Sequence, residues 1–333
     1  MWRDRDLAVV ERKYRKVFRE YIGAQGQGVT FDDVVRHYYD PNVDHFDLIL
    51  AFAIDYHATS RQPTDGNFTA FWDKTHLTPE AVAAFKGERS NVRVMLSIGG
   101  DTVEGDEQAP VLFTPATPNK DRAYADRWIG NAVASLVALM REYHLDGIDV
   151  NYERFEVVSA GKVETFVYCI KALLQGLKKV FPNMVTSIAP FYDPKVQANY
   201  QALWKSCSNE NLIDYVNFQF YSGDKKKWMD SGAGAYDAVY DEQVGNYPGA
   251  KVLASFKTAK ADANSYWLDA QIALPLLKWV HKKNKLPGIF IWSADSSYYE
   301  DNSQPEHHNN RFRHEKHALS ILNSPPYMVP GEC

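Results

Sequence analysis

Cysteine is scarce in this 333-residue chain: only Cys169, Cys207 and Cys333 are present. Three thiols cannot all pair within one chain, which excludes a disulfide-built scaffold and leans toward a reducing compartment. Long hydrophobic runs are missing, so no membrane partner is expected. Positive charge is not in excess, with 37 Lys and Arg against 42 Asp and Glu, a formal balance of −5. A nucleic-acid partner therefore has no electrostatic support from the chain as a whole. The local runs Lys225-Lys226-Lys227 and Lys282-Lys283 read as solvated loop and helix surface. Met1 to Asp6 is charged and lacks the apolar core of a signal peptide. That start implies a cytoplasmic or vacuolar location, with secretion only after removal of a leader. The nucleotide and nucleophile loops G-x-x-x-x-G-K-[ST] and G-x-S-x-G are also missing. Neither His307-His308 nor His314 with His317 offers a convincing zinc spacing with a carboxylate. No cofactor and no metal are expected.

What the chain does have is apolar content of 45%, enough for a substantial core, and aromatics at 14%, including 20 Tyr and 8 Trp. Such a store of rings suits both core packing and surfaces that stack on sugars. Residues 7–20 carry Leu7, Val10, Tyr14, Val17 and Phe18 at helical spacing, so residues 1–17 read as a helical extension ahead of one domain over 18–333. Strand signals follow around Phe18–Gly23, Phe46–Ile54, Val92–Gly100, Leu145–Glu153, Met184–Tyr192, Ile213–Tyr221, Val252–Phe256 and Gly288–Trp292. Several are nearly continuous apolar runs, the pattern of parallel strands buried on both faces. Helical patterns separate them: one opened by Thr78-Pro79-Glu80, then 121–143, 163–179, 198–206, 235–244 and 267–283, with a last helix at 311–322 in the tail. Trp128, Ala132, Leu136 and Met140 make one apolar stripe. Eight strands alternating with helices over this length predict a (β/α)₈ TIM barrel. A doubly wound open sheet is the competitor, but Gly23, Gly26 and Gly28 do not form the dinucleotide turn G-x-G-x-x-G.

A barrel places its chemistry at the C-terminal ends of its strands. Those ends hold Tyr21, Ser97 with Gly99-Gly100, Asp149 to Glu153, Gln219 with Tyr221, and Trp292. Strand alternation puts Asp149, Asn151 and Glu153 on one face and Asn217, Gln219 and Tyr221 on one face of the sixth strand, both aimed at the same mouth. A glutamate at the rim, held neutral by burial and by the charge of Asp149, suits a general acid for glycosidic cleavage. Asp149 and Glu153 lie about 13 Å apart along a straight strand, on one wall of the site, whereas a nucleophile–acid pair flanks the sugar. Attack by an N-acetyl group of the substrate itself avoids that difficulty. Tyr221 would then hold the acetamido oxygen, Asn151 would accept from its N–H, and Trp292 would form an apolar floor. Each feature also has a structural reading: acidic residues capping a loop, Asn217 and Gln219 satisfying one another, Trp292 as core, and Ser97–Gly100 as a tight turn.

Asp146-Gly147-Ile148-Asp149-x-Asn151-x-Glu153 resembles the D-G-x-D-x-D-x-E signature of family 18 glycoside hydrolases. Ser97-Ile98-Gly99-Gly100 matches the S-x-G-G element, Gln219-Phe220-Tyr221 the sixth-strand Q-F-Y of plant class III chitinases, and Trp292 the eighth-strand tryptophan. Phe18–Gly23, Phe52-Ala53-Ile54, Ser187-Ile188-Ala189-Pro190 and Leu286–Phe290 bring the chain nearest to narbonin-like plant proteins. The resemblance covers roughly residues 18–300. It implies a barrel without the inserted α+β domain of processive relatives, because the segment between the last two strands is too short to hold one. It implies binding of chitin or N-acetylglucosamine oligosaccharides and substrate-assisted hydrolysis, with Glu153 as acid/base, Asp149, Asn151 and Tyr221 assisting, and Tyr21, Phe52, Ser97, Gly99, Gly100, Asn217, Gln219 and Trp292 lining the site. The narbonin likeness implies the alternative, a storage or carbohydrate-binding protein with little activity. Asn151 replaces the family's third Asp, which points to an attenuated enzyme. Nothing in the sequence assigns an oligomeric state.

Overall fold

The computed structural model describes residues 16–325 apart from 88, 104–105, 118–119, 156–159, 224, 261–267, 284 and 304–309. Eight parallel strands close into a barrel: β1 (Val17–Ile22), β2 (His45–Ile54), β3 (Val92–Gly100), β4 (Gly147–Tyr152), β5 (Val185–Ile188), β6 (Tyr215–Asn217), β7 (Lys251–Lys257) and β8 (Gly288–Trp292). Each pairs with the next, and β1 pairs with both β2 and β8, so the sheet has no open edge. This is the (β/α)₈ fold that the alternating pattern predicts. Residues 258–287, between β7 and β8, hold only helix α7 (Ala270–Lys282) among the described residues, with no room for an inserted domain.

The other helices are α1 (Phe31–His37), α2 (Pro79–Lys86), α3 (Arg122–Glu142), α4 (Ala160–Val180), α5 (Pro194–Cys207), α6 (Lys225–Asn246), α8 (Ala294–Ser303) and α9 (Arg313–Asn323). Their starts follow from local chemistry. Thr30 and Asp33 form a reciprocal capping box on α1, and Thr78, Asp121, Asp193 and Asp269 accept from first-turn amides of α2, α3, α5 and α7. The α3 stripe Trp128, Ala132, Leu136 and Met140 is fully buried against the barrel.

Two expectations change. The strand read at Phe18–Gly23 is β1, but it opens at Val17, so the helical spacing read over residues 7–20 does not extend through Val17–Glu20; residues 1–15 lie outside the described residues. The helical spacing there coincides with a strand buried on both faces, Arg19 and Tyr21 pointing inward to Asn217 and Asp149, and Glu20 outward to Tyr38. The sixth strand also ends at Asn217 rather than Tyr221. Beyond it the chain turns through a 3₁₀ segment at Phe220–Ser222, with Ser222 N–H donating to Gln219 O at 3.1 Å.

The lower barrel interior is polar. Asp47 is fully buried between Arg19, whose Nη2 lies 2.6 Å from Oδ2, and Arg93, whose Nε lies 2.7 Å from Oδ1. The two guanidiniums hold its carboxyl below the usual range against the opposing effect of burial.

A second buried acidic group lies outside the barrel wall. Glu20 of β1 and Glu315 of α9 are both wholly inaccessible, and Tyr38 Oη donates to Glu20 Oε2 at 2.7 Å. Among the described residues, both Glu315 oxygens and Glu20 Oε1 lack partners that meet normal hydrogen-bond geometry. Burial, foremost, pushes Glu315 up to about 7, and burial with the charge of Glu315 raises Glu20. A carboxyl whose folded pKa is raised contributes most below its unfolded pKa, and that contribution is lost as pH rises through the folded value. Thermal stability is therefore expected to fall between about pH 4.5 and pH 7 by on the order of 3 kcal/mol from Glu315 alone. Thermal melts across that range should show the decline, and Glu315→Gln should make it shallower, leaving the part that burial of Glu20 contributes. A variant whose melting temperature keeps the natural pH dependence would refute this assignment.

Candidate active site

The C-terminal ends of the strands converge on Asp149, Asn151 and Glu153 from β4 and the residue just after it. Asp149 sits one layer below the mouth and is fully buried. It accepts from Tyr21 Oη at 2.5 Å, Ser97 Oγ at 2.8 Å, Ser187 Oγ at 2.6 Å and Asn217 Nδ2 at 2.9 Å. Four donors satisfy a carboxylate that would otherwise be costly to bury. Asn217 does not face the mouth as expected. Its side chain is inaccessible and continues the column downward, with Oδ1 accepting from Arg19 Nη1 at 3.0 Å. Ser97 and Tyr21 are likewise buried around Asp149.

Asn151 is almost wholly buried and bridges two groups. Its Nδ2 donates to Glu153 Oε1 at 3.0 Å, and its Oδ1 accepts from Gln219 Nε2 at 3.0 Å. Gln219 Nε2 also donates to Ala189 O at 2.9 Å. That second bond fixes which end of the Gln219 amide faces Asn151, and so which end of Asn151 faces Glu153.

Glu153 is partly accessible, and burial pushes its carboxyl up to about 7, with the charge of Asp101 the next contribution. Hydrogen bonds from Asn151 and Gln219, and the ammonium of Lys257, oppose the rise. The like charge expected from Asp149 comes instead from Asp101. The β3–β4 register explains the exchange: Gly99 pairs with Asn151 and Gly100 with Tyr152, so the next residue of each strand, Asp101 and Glu153, come side by side. Asp101 is engaged by Arg154 Nε. Gly99 makes this register possible. Its φ is +101°, and a Cβ there would lie 2.7 Å from Tyr152 N and 2.8 Å from Asn151 O.

Aromatic rings close the other side. Trp292 is partly exposed at the end of β8, its ring 5.1 Å from Tyr21 and 6.0 Å from Phe52, the latter nearly parallel. Phe52 is also partly accessible, while Gly100 has the Phe52 ring 3.7 Å from where its Cβ would be. Tyr221 is buried apart from its edge, and among the described residues its hydroxyl makes no hydrogen bond. Burial and then Glu153 and Asp149 raise the Tyr221 hydroxyl well above its ordinary value, so it stays a neutral donor. The mouth therefore presents a carboxyl raised to about 7, a neutral phenol and an indole face.

A sequence model described as glycosyl hydrolases family 18 matches residues 41–271. The chain belongs to family 18. It is 43% identical over 313 residues to Chitinase 1 of Tulipa saxatilis subsp. bakeri, covering 92% of this chain and 87% of that protein. The catalytic domain of a chitinase from the fern Peteris ryukyuensis superimposes with a TM-score of 0.76 at 40% identity, covering 93% of this chain and all of that one. A family 18 chitinase from Crocus vernus gives 0.75 at 32% identity, with the same coverage. A RuBisCO-associated protein of Glycine max is 32% identical over 189 residues, 55% of this chain and 57% of that protein.

Family membership does not explain how this particular site is built. Three of its polar residues were not singled out in the sequence. Ser187 stands on β5 within the quoted Ser187-Ile188-Ala189-Pro190, where inward alternation was the available signal. Asp101 and Lys257 carry no local signal and enter the site through strand register alone.

Proposed function

We propose that this chain hydrolyses β-1,4-linked N-acetylglucosamine oligomers with retention of configuration, using the substrate's own acetamide as nucleophile. The observation that carries this reading is Glu153, a carboxyl raised to about 7 at the mouth, hydrogen-bonded to Asn151 and set among Tyr221 and Trp292. Protonated Glu153 gives its proton to the glycosidic oxygen as the bond to the anomeric carbon breaks, while the acetamido oxygen closes on that carbon. The Tyr221 hydroxyl, a neutral donor with no hydrogen bond among the described residues, would donate to the acetamide. Glu153, now ionised, then takes a proton from the water that opens the cyclic intermediate. Asp149 takes no proton in this scheme. Its four donors hold the floor beneath Asn151 rigid, which is a positioning role.

Asn151 limits the rate. To accept the substrate N–H, its Oδ1 must accept from the acetamide as well as from Gln219, and as an amide it cannot offset the positive charge of the intermediate. A storage or carbohydrate-binding role is the second reading, favoured by that same amide and by the partial likeness to the soybean RuBisCO-associated protein. Turnover of chitin oligosaccharides separates the two. The first reading expects slow but measurable cleavage, falling as pH rises through about 7 because the proton-bearing form of Glu153 is required. Binding without cleavage at any pH supports the second.

A further inference from the structure

Asp101 and Glu153 are the first residues past the paired ends of β3 and β4, and Glu153 N–H donates to Gly100 O at 3.4 Å. The two carboxyl side chains therefore leave neighbouring strands side by side. Arg154, the next residue, turns its guanidinium back onto Asp101, with Nε engaging Oδ1. The chain between β3 and α3 builds this contact. Thr102–Val103 pairs antiparallel with Asp106–Pro110 to make a short hairpin. At its base Val111 N–H donates to Asp101 O at 2.9 Å, and Leu112 pairs in parallel with Arg154. Backbone bonds from one hairpin base thus hold both members of the ion pair. Other groups also face Glu153: Lys257 at the end of β7, whose ammonium feels both Glu153 and Asp101, Tyr221 beyond β6, Tyr200 of α5 and, one layer down, Asp149. Asp101 and Arg154 differ from the buried ones in standing at the rim, each about two-fifths exposed.

From this placement we infer that Asp101 and Arg154 are positioning residues for the proton: Asp101 favours the proton-bearing form of Glu153, and Arg154 limits how much of the Asp101 charge reaches it. The inference rests on the reading of Glu153 as the acid of the proposed reaction. A carboxylate beside a carboxyl favours its protonated form, and a guanidinium bonded to that carboxylate takes up part of its field. Burial is the larger cause of the raised Glu153 carboxyl, and Asp101 is the next. Burial is fixed by the barrel, whereas the Asp101–Arg154 balance is set by two rim side chains and decides the pH at which the acid is lost. At a few ångströms, with solvent close by, one unit charge moves a neighbouring pKa by about half a unit to one unit.

The test follows Glu153 in two ways. One is the basic limb of the pH–rate profile on N-acetylglucosamine tetramer. The other is direct titration of the carboxyl by carbon NMR of glutamate-labelled protein, its resonance assigned by its loss in Glu153→Gln. Asp101→Asn should move both to lower pH by about half a unit or more, and Arg154→Gln should move both to higher pH by a similar amount. Arg154→Lys should restore most of the natural value, because it keeps the charge. The double variant should match Asp101→Asn, since Arg154 acts through Asp101. A pair with only a structural role would lower the rate or the melting temperature and leave both pH values in place, which overturns the inference. So does an Arg154→Gln shift that persists in the absence of Asp101. If no form cleaves the tetramer while the NMR titration moves as expected, hydrolysis fails and the assignment of Asp101 and Arg154 stands. If cleavage is seen and the titration does not move, the reaction stands and this inference fails.

Discussion

Turnover of N-acetylglucosamine oligomers should fall by about 10²- to 10⁴-fold when Glu153 is changed to glutamine, with the fold intact. The glutamine oxygen can still accept from Asn151 Nδ2, which now holds Glu153 Oε1 at 3.0 Å, so the local network has little reason to rearrange. What disappears is the transferable proton. Removing a carboxyl that burial keeps near 7 should leave thermal stability unchanged or slightly higher above neutral pH, since the ionised form no longer has to be buried. Initial rates on a defined tetramer, beside a thermal melt of the same preparation, check both halves. Equal rates for natural and variant chains would remove Glu153 from the chemistry.

The second large effect runs the other way. Asn151→Asp is expected to raise the rate by roughly 10²-fold, the scale of one preorganised electrostatic group aimed at developing charge, about 3 kcal/mol in the barrier. The present amide only donates toward Glu153, and that bond lowers the Glu153 pKa. A carboxylate in its place would instead repel the ionised form of Glu153 and raise its pKa, so the basic limb of the pH–rate profile should move to higher pH. It would also face the positive intermediate with a charge. Because the site is almost wholly buried, the variant should lose some stability above neutral pH, where two neighbouring carboxyls compete for one proton. An unchanged rate would mean that position 151 does not contact the reacting sugar.

The sequence made some of this site legible and hid the rest for identifiable reasons. Apolar runs bounded by helix caps were enough to place all eight strands, because parallel strands buried on both faces leave a strong signal. Face alternation correctly grouped Asp149, Asn151 and Glu153, but not their depth. Each residue along a strand climbs about 3.3 Å, so Asp149 falls into the packed layer shared with Ser97, Ser187 and Asn217, while Glu153 reaches the opening. Treating them as a carboxylate pair therefore misassigned the neighbour that raises Glu153. Asp101 takes that role through the β3–β4 register, which the sequence does not encode locally. Helix α8 is hidden in the sequence for a different reason. Ala294–Ser303 has no apolar stripe, and its buried residues are mostly Ser and Asp, including Asp295, whose Oδ2 accepts from Gly23 N–H at 2.8 Å. Helix α1, by contrast, carries a capping box at Thr30 and Asp33 that is readable in the sequence.

The central claim is that the substrate's acetamide supplies the nucleophile while Glu153 manages the proton. Time-resolved proton NMR of the natural chain acting on N-acetylglucosamine tetramer tests it most directly. The account predicts that the new reducing ends appear first as the β-anomer and only later equilibrate, as double displacement through a cyclic intermediate requires. First appearance of the α-anomer, or release of product from a tetramer whose N-acetyl groups have been removed, would contradict it.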